Sequence, residues 1–380
     1  MIVAGVLSGT SLDGIDVAIV EVRATGTPAL LAFETVAFEP ALRARLLRAV
    51  APRTTDALAI AALNADVGSA FGAAVARVAR GFELELVASH GITLAHDGAR
   101  SITLQIGDAF RIREATGTSV AYDFRSADCA AGGTGAPLVP LLDARAFADP
   151  IETRVALNLG GIANLTVLAP RGALEDTIAF DSGPANLPLD TYVRMRDLCG
   201  GVGFDRDGAL AASGRVDRDV LVRLLADPYF HAPPPKSAGR EQFGEAFVRA
   251  HAASLDALGA ADALATLAEL TIETVAAAIR TSAPSATVVI ASGGGVHNVV
   301  LMNGLARALP HMRIARAEAF GLNSDAKEAI LFAVLGFALV RGAAGNVPGV
   351  TGASGARVLG ALAPHDLSRL MTAVRREEKR

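Results

Sequence analysis

The chain has 380 residues, 51% of them hydrophobic and 19% charged, with a formal net charge of -4. At roughly 150 residues per domain this length suggests about two domains, and the low charge with high apolar content excludes disorder. A pI near 6.0 and the lack of Lys/Arg blocks argue against a nucleic-acid or anionic-membrane surface, so a small-molecule partner is expected.

The N-terminal stretch has no basic region before its apolar run and meets polar turn residues too early for a signal peptide. Residues 2–7 read as a strand that breaks at Ser8-Gly9-Thr10-Ser11-Leu12-Asp13-Gly14 and resumes over residues 15–22. A dinucleotide or P-loop site would put a helix after its glycines, so the β-branched run after Gly14 counts against both. Residues 33–38 read as a third strand and 42–80 as helices. Strands are expected at 84–89, 101–106 and 119–124, with a helix over 108–116 closing on Gly117. This alternation predicts a mostly parallel sheet with helical layers. The glycine-rich passage 130–137 is the expected domain crossover.

Beyond it the opening pattern recurs. Residues 154–159 are apolar, Gly160-Gly161 turns the chain, 162–168 are apolar again, and a third strand, 177–180, ends at Asp181-Ser182-Gly183-Pro184. Each half therefore begins with a glycine-turn hairpin and a third strand, which predicts duplication of one unit. Pro233-Pro234-Pro235 demands an exposed loop. Long helices over 245–280, a buried strand at 287–291 ending in Ser292-Gly293-Gly294-Gly295, and helices at 298–309 and 324–341 complete the reading. The longest apolar helical stretch is read as 329–340, shorter than the roughly 20 residues that span a bilayer.

Lysine occurs only at Lys236, Lys327 and Lys379, and no G-x-x-x-x-G-K-[ST] is present, so nucleotide handling needs another phosphate loop. Cys129 and Cys199 fit no zinc or C-x-x-C spacing and read as free thiols of a reducing compartment. A soluble, cytoplasmic protein is expected.

Three glycine-bearing loops, residues 9–16, 181–186 and 292–298, follow strands, where ligands of α/β folds bind. Hydroxyls beside Gly9 would let backbone N–H groups approach phosphate oxygens, and Asp13 and Asp16 could orient a hydrated Mg²⁺; Asp13-Gly14 also reads as a plain hairpin turn. Asp181 is placed as a general base at a strand's carboxyl end or as an N-cap of the helix after Pro184. Asn186 and Asp190 read equally well as caps, and His90 and His96 as structural histidines.

The chain resembles the anhydro-N-acetylmuramic acid kinase family. The resemblance is carried by Gly9-Thr10-Ser11-Leu12-Asp13-Gly14-Ile15-Asp16, Ser89-His90-Gly91, Leu104-Gln105-Ile106-Gly107-Asp108, Asp123-Phe124-Arg125 with Asp128, Asn158-Leu159-Gly160-Gly161, Phe180-Asp181-Ser182-Gly183-Pro184, Pro235-Lys236-Ser237, Ser292-Gly293-Gly294-Gly295 and Asp325-Ala326-Lys327-Glu328, in order over nearly the whole sequence. It implies an α/β fold of two similar domains of the actin-like ATPase (ribonuclease H-like) type with an interdomain cleft, residues 1–128 plus 345–380 forming one lobe and 129–344 the other. It also implies ATP and Mg²⁺ as cofactors. By resemblance the eight residues from Gly9 to Asp16 hold ATP phosphates, with Gly160, Gly161, Gly293, Gly294 and Gly295 also on the nucleotide and Asp13 on the metal. Asp181 is then the catalytic base, with Arg125 and Glu328 beside it on the sugar.

The implied reaction opens the 1,6-anhydro ring of an amino sugar with water and phosphorylates O6. A sensor of such fragments and a general sugar kinase are the competing readings; retention of Asp181 and the lack of an appended basic segment count against the sensor. No nucleic-acid or membrane partner is expected, and a homodimer is left open. Ile92, Thr134, Ser182 and Ala185 depart from the family pattern, the first two by losing polar reach near the expected sugar position.

Overall fold

A computed structural model of the chain describes residues 1–9, 12–50, 56–170 and 174–378. Its strands, in chain order, are β1 (Ile2–Leu7), β2 (Ile15–Glu21), β3 (Ala29–Val36), β4 (Leu86–Asp97), β5 (Ile102–Ile106), β6 (Val120–Tyr122), β7 (Thr153–Leu159), β8 (Ile162–Leu168), β9 (Ile178–Pro184), β10 (Ala286–Ser292), β11 (Arg313–Arg316) and β12 (Ala361–Ala363). The chain divides into two compact units, Met1–Ala146 with Gly321–Arg380, and Phe147–Phe320.

The first unit holds a seven-stranded sheet of order β12-β6-β4-β1-β2-β3, with β5 on β4. The second holds a five-stranded sheet, β11-β10-β7-β8-β9. Both follow one plan. β1 and β2 form an antiparallel hairpin extended by β3, and β4 joins β1 in parallel. Likewise β7 and β8 form a hairpin extended by β9, and β10 joins β7 in parallel. This repeated α/β plan is the duplication that the pattern repeat in the sequence reports.

The sheets are mixed, not mostly parallel as the alternation suggested. Each short turn after β1 and β7 closes an antiparallel pair, and parallel pairing begins only where a helical crossover intervenes. Two strands outrun their expected ends: β4 continues to Asp97 and β9 to Pro184. β9 survives its Ser-Gly-Pro run through an irregularity that pairs Asn164 with Asp181 and Ala163 with Gly183, leaving Ser182 as the extra residue.

Helix Ala57–Val78 is 22 residues long and apolar enough to cross a membrane by length and composition, which corrects the choice of 329–340 as the longest apolar stretch. Its Leu63, Val67, Phe71 and Val75, four residues apart, lie buried in the first unit's core. Helix Ala109–Thr116 is capped by Asp108 and ends on Gly117 at φ 60°. On the sheet's other face, helix Lys327–Val340 is buried almost throughout. It lies close because Gly5 and Gly336 leave room: a Cβ on Gly5 would stand 1.8 Å from the Ala329 carbonyl oxygen, and one on Gly336 2.6 Å from Ala88 Cβ.

That packing puts 327–340 in the first unit; the cuts between units fall at 146/147 and 320/321, whereas the sequence expectation set them near 128/129 and 344/345. In the second unit Val155, Leu157, Leu165 and Val289 of the sheet pack with Val275 and Ile279 of helix Ala260–Ser282. The helices expected over 245–280 are Glu245–Asp256 and Ala260–Ser282, separated at Gly259 with φ 82°. β11, β12 and helix Leu367–Glu378 had no expectation, being short or strongly polar on one face.

Candidate functional site

The loop after β1 is fixed from below. Leu12 adopts φ 55° with its side chain fully buried, Ile15 is likewise core, and Leu12 N–H donates to Gly9 carbonyl at 3.0 Å. From helix Pro40–Ala49, Arg43 Nε donates to the Leu12 carbonyl at 2.7 Å, and its Nη2 lies 3.6 Å from Asp13. Leu12 and Ile15 therefore offer only backbone to a ligand. Asp13 is exposed and already faces a cation. Thr10 and Ser11, expected as phosphate donors, lie outside the described residues.

Asp16 belongs to β2 and its Oδ1 accepts from Thr35 Oγ at 2.6 Å. Burial raises its carboxyl above the ordinary range; the Thr35 bond opposes this, and the charges of Asp325 and Asp13 add to it. Glu328, in the first turn of helix Lys327–Val340, reaches solvent but stands amid enough protein that desolvation raises it too, with Arg125 pulling it back and Asp16 pushing it up. Among the described residues no three His, Cys, Asp or Glu side chains are grouped closely enough to hold a bare ion. A hydrated Mg²⁺ asks for less, one or two carboxylates with waters and phosphate oxygens, and carboxylates that raise one another fit it. Asp16 suits this better than Asp13.

Arg125 is anchored at two points: Nε donates to His90 Nε2 at 2.9 Å and Nη1 to the Gly135 carbonyl at 2.8 Å. Since Nε2 accepts, the His90 proton sits on Nδ1, which faces the Gly91 carbonyl at 3.2 Å. Burial first, then the Arg125 charge, hold His90 well below its ordinary pKa, so it stays neutral. Its ring stacks on Phe332, with centroids 4.4 Å apart. Gly135 is fixed in turn, its N–H donating to the fully buried Asp128 at 2.8 Å; the other Asp128 oxygen accepts from Asn346 and Thr351, each at 2.7 Å. The structural reading of His90 is right, and within that structural part the ring also orients a guanidinium.

In the second unit, Asp181 lies inside β9 instead of at its end, and it caps no helix; helix Asn186–Met195 begins after Ala185 without a side-chain cap. Residues 229–238 grip it. Asp181 N–H donates to Lys236 carbonyl at 3.0 Å, Tyr229 OH to Asp181 carbonyl at 2.8 Å, and Ala238 N–H to Asp181 Oδ2 at 2.8 Å. Lys236 Nζ closes the segment by donating to the Tyr229 carbonyl at 2.9 Å. Gly183, at φ 154°, is required because a Cβ there would meet Phe230 at 2.8 Å. Burial lifts the Asp181 carboxyl to about 6, with the Ala238 bond pulling the other way. Burial and the Asp181 charge push the Tyr229 phenol up, so it remains a donor. The proline-loop motif was visible in the sequence, but not that it holds Asp181.

Gly160 and Gly161 are held by the start of helix Asn186–Met195: Asn186 N–H donates to Gly160 carbonyl, and Ala185 and Leu187 N–H to Gly161 carbonyl, at 2.9–3.0 Å. Asn186 Nδ2 adds bonds to the Leu159 and Gly160 carbonyls, so it acts inside the helix and not as a cap. Asp190 lies within that helix, its carboxyl lifted to about 6 by burial. Gly293 and Gly295 pack on the end of β7, where a Cβ on either would meet Asn158 or Leu159 within 2.6 Å; Gly294 stands in open space between them. The structure thus gathers Gly160, Gly161 and Gly293 to Gly295 on the second unit, and Asp16, Arg125 and Glu328 on the first.

Of the departures from pattern, Ile92 is fully buried in the core, where it packs and reaches no sugar. Thr134 spends its hydroxyl on the Ala136 and Thr351 carbonyls, and Ser182 on the Ala163 carbonyl.

Residues 1–365 match the family described as anhydro-N-acetylmuramic acid kinase. The chain is 43% identical to the anhydro-N-acetylmuramic acid kinase of Gloeobacter violaceus over 373 residues, covering 95% of this chain and 98% of that protein. It is 45% identical to the one from Xanthomonas axonopodis pv. citri over 371 residues, covering 95% and 97%. Among solved structures it is similar to a ROK family glucokinase from Streptomyces griseus in complex with glucose and AMPPNP, at 16% identity and a TM-score of 0.38, covering 88% of this chain and 99% of that one.

Proposed function

The chain belongs to the anhydro-N-acetylmuramic acid kinase family, and from that premise we propose how its residues phosphorylate 1,6-anhydro-N-acetylmuramic acid with ATP in cell-wall recycling. Asp181 accepts a proton from water as the water oxygen bonds to C1. The C1–O6 bond breaks, O6 takes the γ-phosphoryl group, and the bond from that phosphorus to the β-phosphate oxygen breaks. The products are N-acetylmuramic acid 6-phosphate and ADP, with the water proton left on Asp181. One acid–base group suffices, since the leaving oxygen goes to phosphorus and needs no proton.

The observation that carries the reading is the elevated Asp181 carboxyl, lifted to about 6 and aimed by Ala238 N–H. A base near neutrality contributes roughly 10²- to 10⁴-fold. Phosphoryl transfer is mostly positioning and charge neutralisation. In this reading the loop from Gly9 to Asp16 meets the ATP phosphates, Gly160, Gly161 and Gly293 to Gly295 meet the nucleotide, and Arg125 with Glu328 meet the sugar. Mg²⁺ bound through water by Asp16, with Asp13 beside it, would neutralise phosphate charge. A cytoplasmic location fits both the ATP requirement and two free thiols, Cys129 and Cys199.

The test supplies ATP, Mg²⁺ and the anhydro sugar in ¹⁸O water. Label is expected at C1 of a 6-phosphorylated product. Label in the transferred phosphate, or no phosphorylated product from folded protein, rules the reading out.

A further inference from the structure

Asp181, Lys236 and Tyr229 close a cycle of three hydrogen bonds, each ending on a backbone carbonyl. Asp181 N–H donates to the Lys236 carbonyl at 3.0 Å, Lys236 Nζ to the Tyr229 carbonyl at 2.9 Å, and Tyr229 OH to the Asp181 carbonyl at 2.8 Å. Lys236 Nζ also stands 4.6 Å from the centroid of the Tyr229 ring, a cation on an aromatic face. That ring packs edge-on against Phe230 and the fully buried Phe243, which anchors the Tyr229 end of the cycle. Residues 232–235 between the two ends are exposed, and Lys236 Nζ ties the far limb of the loop back to Tyr229. Three of the 35 Lys and Arg residues in the chain are lysine, so arginine is its ordinary cation and Lys236 is an exception. An ammonium is a compact donor that can reach a carbonyl from a ring face, where a guanidinium would present a planar fork.

The cycle governs what lies two residues on. Ala238 N–H donates to Asp181 Oδ2 at 2.8 Å, and Oδ1 has no hydrogen-bond partner among the described residues. One carboxylate oxygen is therefore fixed and the other is left for a water proton. A bond to the charged form favours ionisation and opposes the burial that raises this carboxyl. From β8 the uncharged Asn164 faces Asp181, and helix Ala260–Ser282 brings Thr271 and Thr274 to the end of β9; the titratable groups at the carboxyl are Tyr229 and Lys236 of the loop itself. We infer that Lys236 is the positioning residue for Asp181: by tying the loop to Tyr229, its ammonium keeps the Ala238 N–H on Oδ2 and leaves Oδ1 open to water. Its donor is committed to Tyr229, so it acts through Asp181. This rests on Asp181 as the base and adds what holds that base in its working form.

The experiment titrates the Asp181 carboxyl by ¹³C NMR in aspartate-labelled protein, its signal assigned by loss in Asp181→Asn, alongside the pH profile of kcat/KM. Wild type is compared with Lys236→Met, Tyr229→Phe and the double variant, with Tm and ADP binding reporting folding. Tyr229→Phe keeps the ring against Phe230 and Phe243 and removes no charge, so it reads the cycle even where the lysine variant folds poorly. Lys236→Met should move the carboxyl titration and the acid limb of kcat/KM to higher pH and lower kcat at pH 7 about tenfold. KM for ATP should stay within about twofold. Tyr229→Phe should shift both titrations the same way, and the double variant should shift them no further than the larger single, because each change opens the same cycle. An unmoved carboxyl titration in folded Lys236→Met, additive shifts in the double variant, or a loss of kcat equal at every pH overturns the assignment. Titration shifts as expected in a protein without turnover, wild type included, would leave the cycle standing and sink the kinase reading instead.

Discussion

Arg125 hands its Nε–H to His90 Nε2 across 2.9 Å, so a cation is oriented by a histidine that must stay neutral to do it. Protonating His90 would remove the acceptor and set two positive charges face to face. His90→Leu, which keeps bulk against Phe332 but loses the lone pair, should raise KM for the sugar about 10- to 100-fold, the loss of a charge-assisted hydrogen bond. KM for ATP should stay put, and His90→Gln, whose amide oxygen can accept, should restore part of the loss. A uniform loss of folded protein in both variants would show His90 to be structural only.

In the proposed reaction Asp181 sets the acid limb of activity. As a base it works ionised, so kcat/KM should fall as pH drops through about 6, where its carboxyl titrates. Asp181→Asn should bind ADP and lose turnover; near-wild-type turnover removes Asp181 as the base.

The same elevation sets a stability trade. The folded pKa of Asp181 lies above its ordinary 3.8, so its contribution is fully present below pH 3.8 and is lost as pH rises through about 6. At pH 8 the buried charge destabilises the fold by about 1–3 kcal/mol. Asp181→Asn should therefore raise Tm by a few degrees at pH 8 and bring no gain below pH 4. A mutant Tm that lowers or stays level at pH 8 contradicts this.

Arg43 holds the Leu12 carbonyl at 2.7 Å and thereby the shape of the loop after β1. Arg43→Met keeps the aliphatic stem and removes the donor, which should cost about 1–2 kcal/mol of loop order. Steady-state kinetics should show KM for ATP several-fold higher and KM for the sugar unchanged. Equal shifts in both constants would mean that Arg43 does not act through this loop.

Gly5→Ala would drive a methyl to 1.8 Å from the Ala329 carbonyl oxygen, which backbone cannot yield without lifting the helix from β1. A loss of about 3 kcal/mol or more is expected, read as reduced Tm and soluble yield. Unchanged Tm would show that the helix shifts freely.

Local pattern carried much of this protein. The paired glycine-turn hairpins announce two like sheets because a short turn between apolar runs can close only an antiparallel pair, and Asp108 and Gly117 bound their helix by capping physics that acts within a few residues. Lysine is scarce, standing at three positions of the sequence. Of the three, Lys327 is buried on Asp143 at 2.8 Å and Lys236 bonds the Tyr229 carbonyl.

What the sequence could not show depends on which distant segments meet. Asp181 reads as a residue at a strand's end, yet β9 runs past it, and its grip by Tyr229, Lys236 and Ala238 joins positions about 50 residues apart. Leu12, Ile15 and Ile92 sit in or beside motifs read from the sequence as binding, but tertiary packing turns their side chains into the core. The second break between units falls ahead of the 342–355 glycine run because helix Lys327–Val340 packs onto β1, a contact that Gly5 permits and no neighbouring residue announces. Sequence alone settled the family and the repeated plan of its sheets; tertiary structure decided which groups are aimed, which are neutral, and which are spent on packing, since burial and hydrogen-bond partners belong to the folded chain.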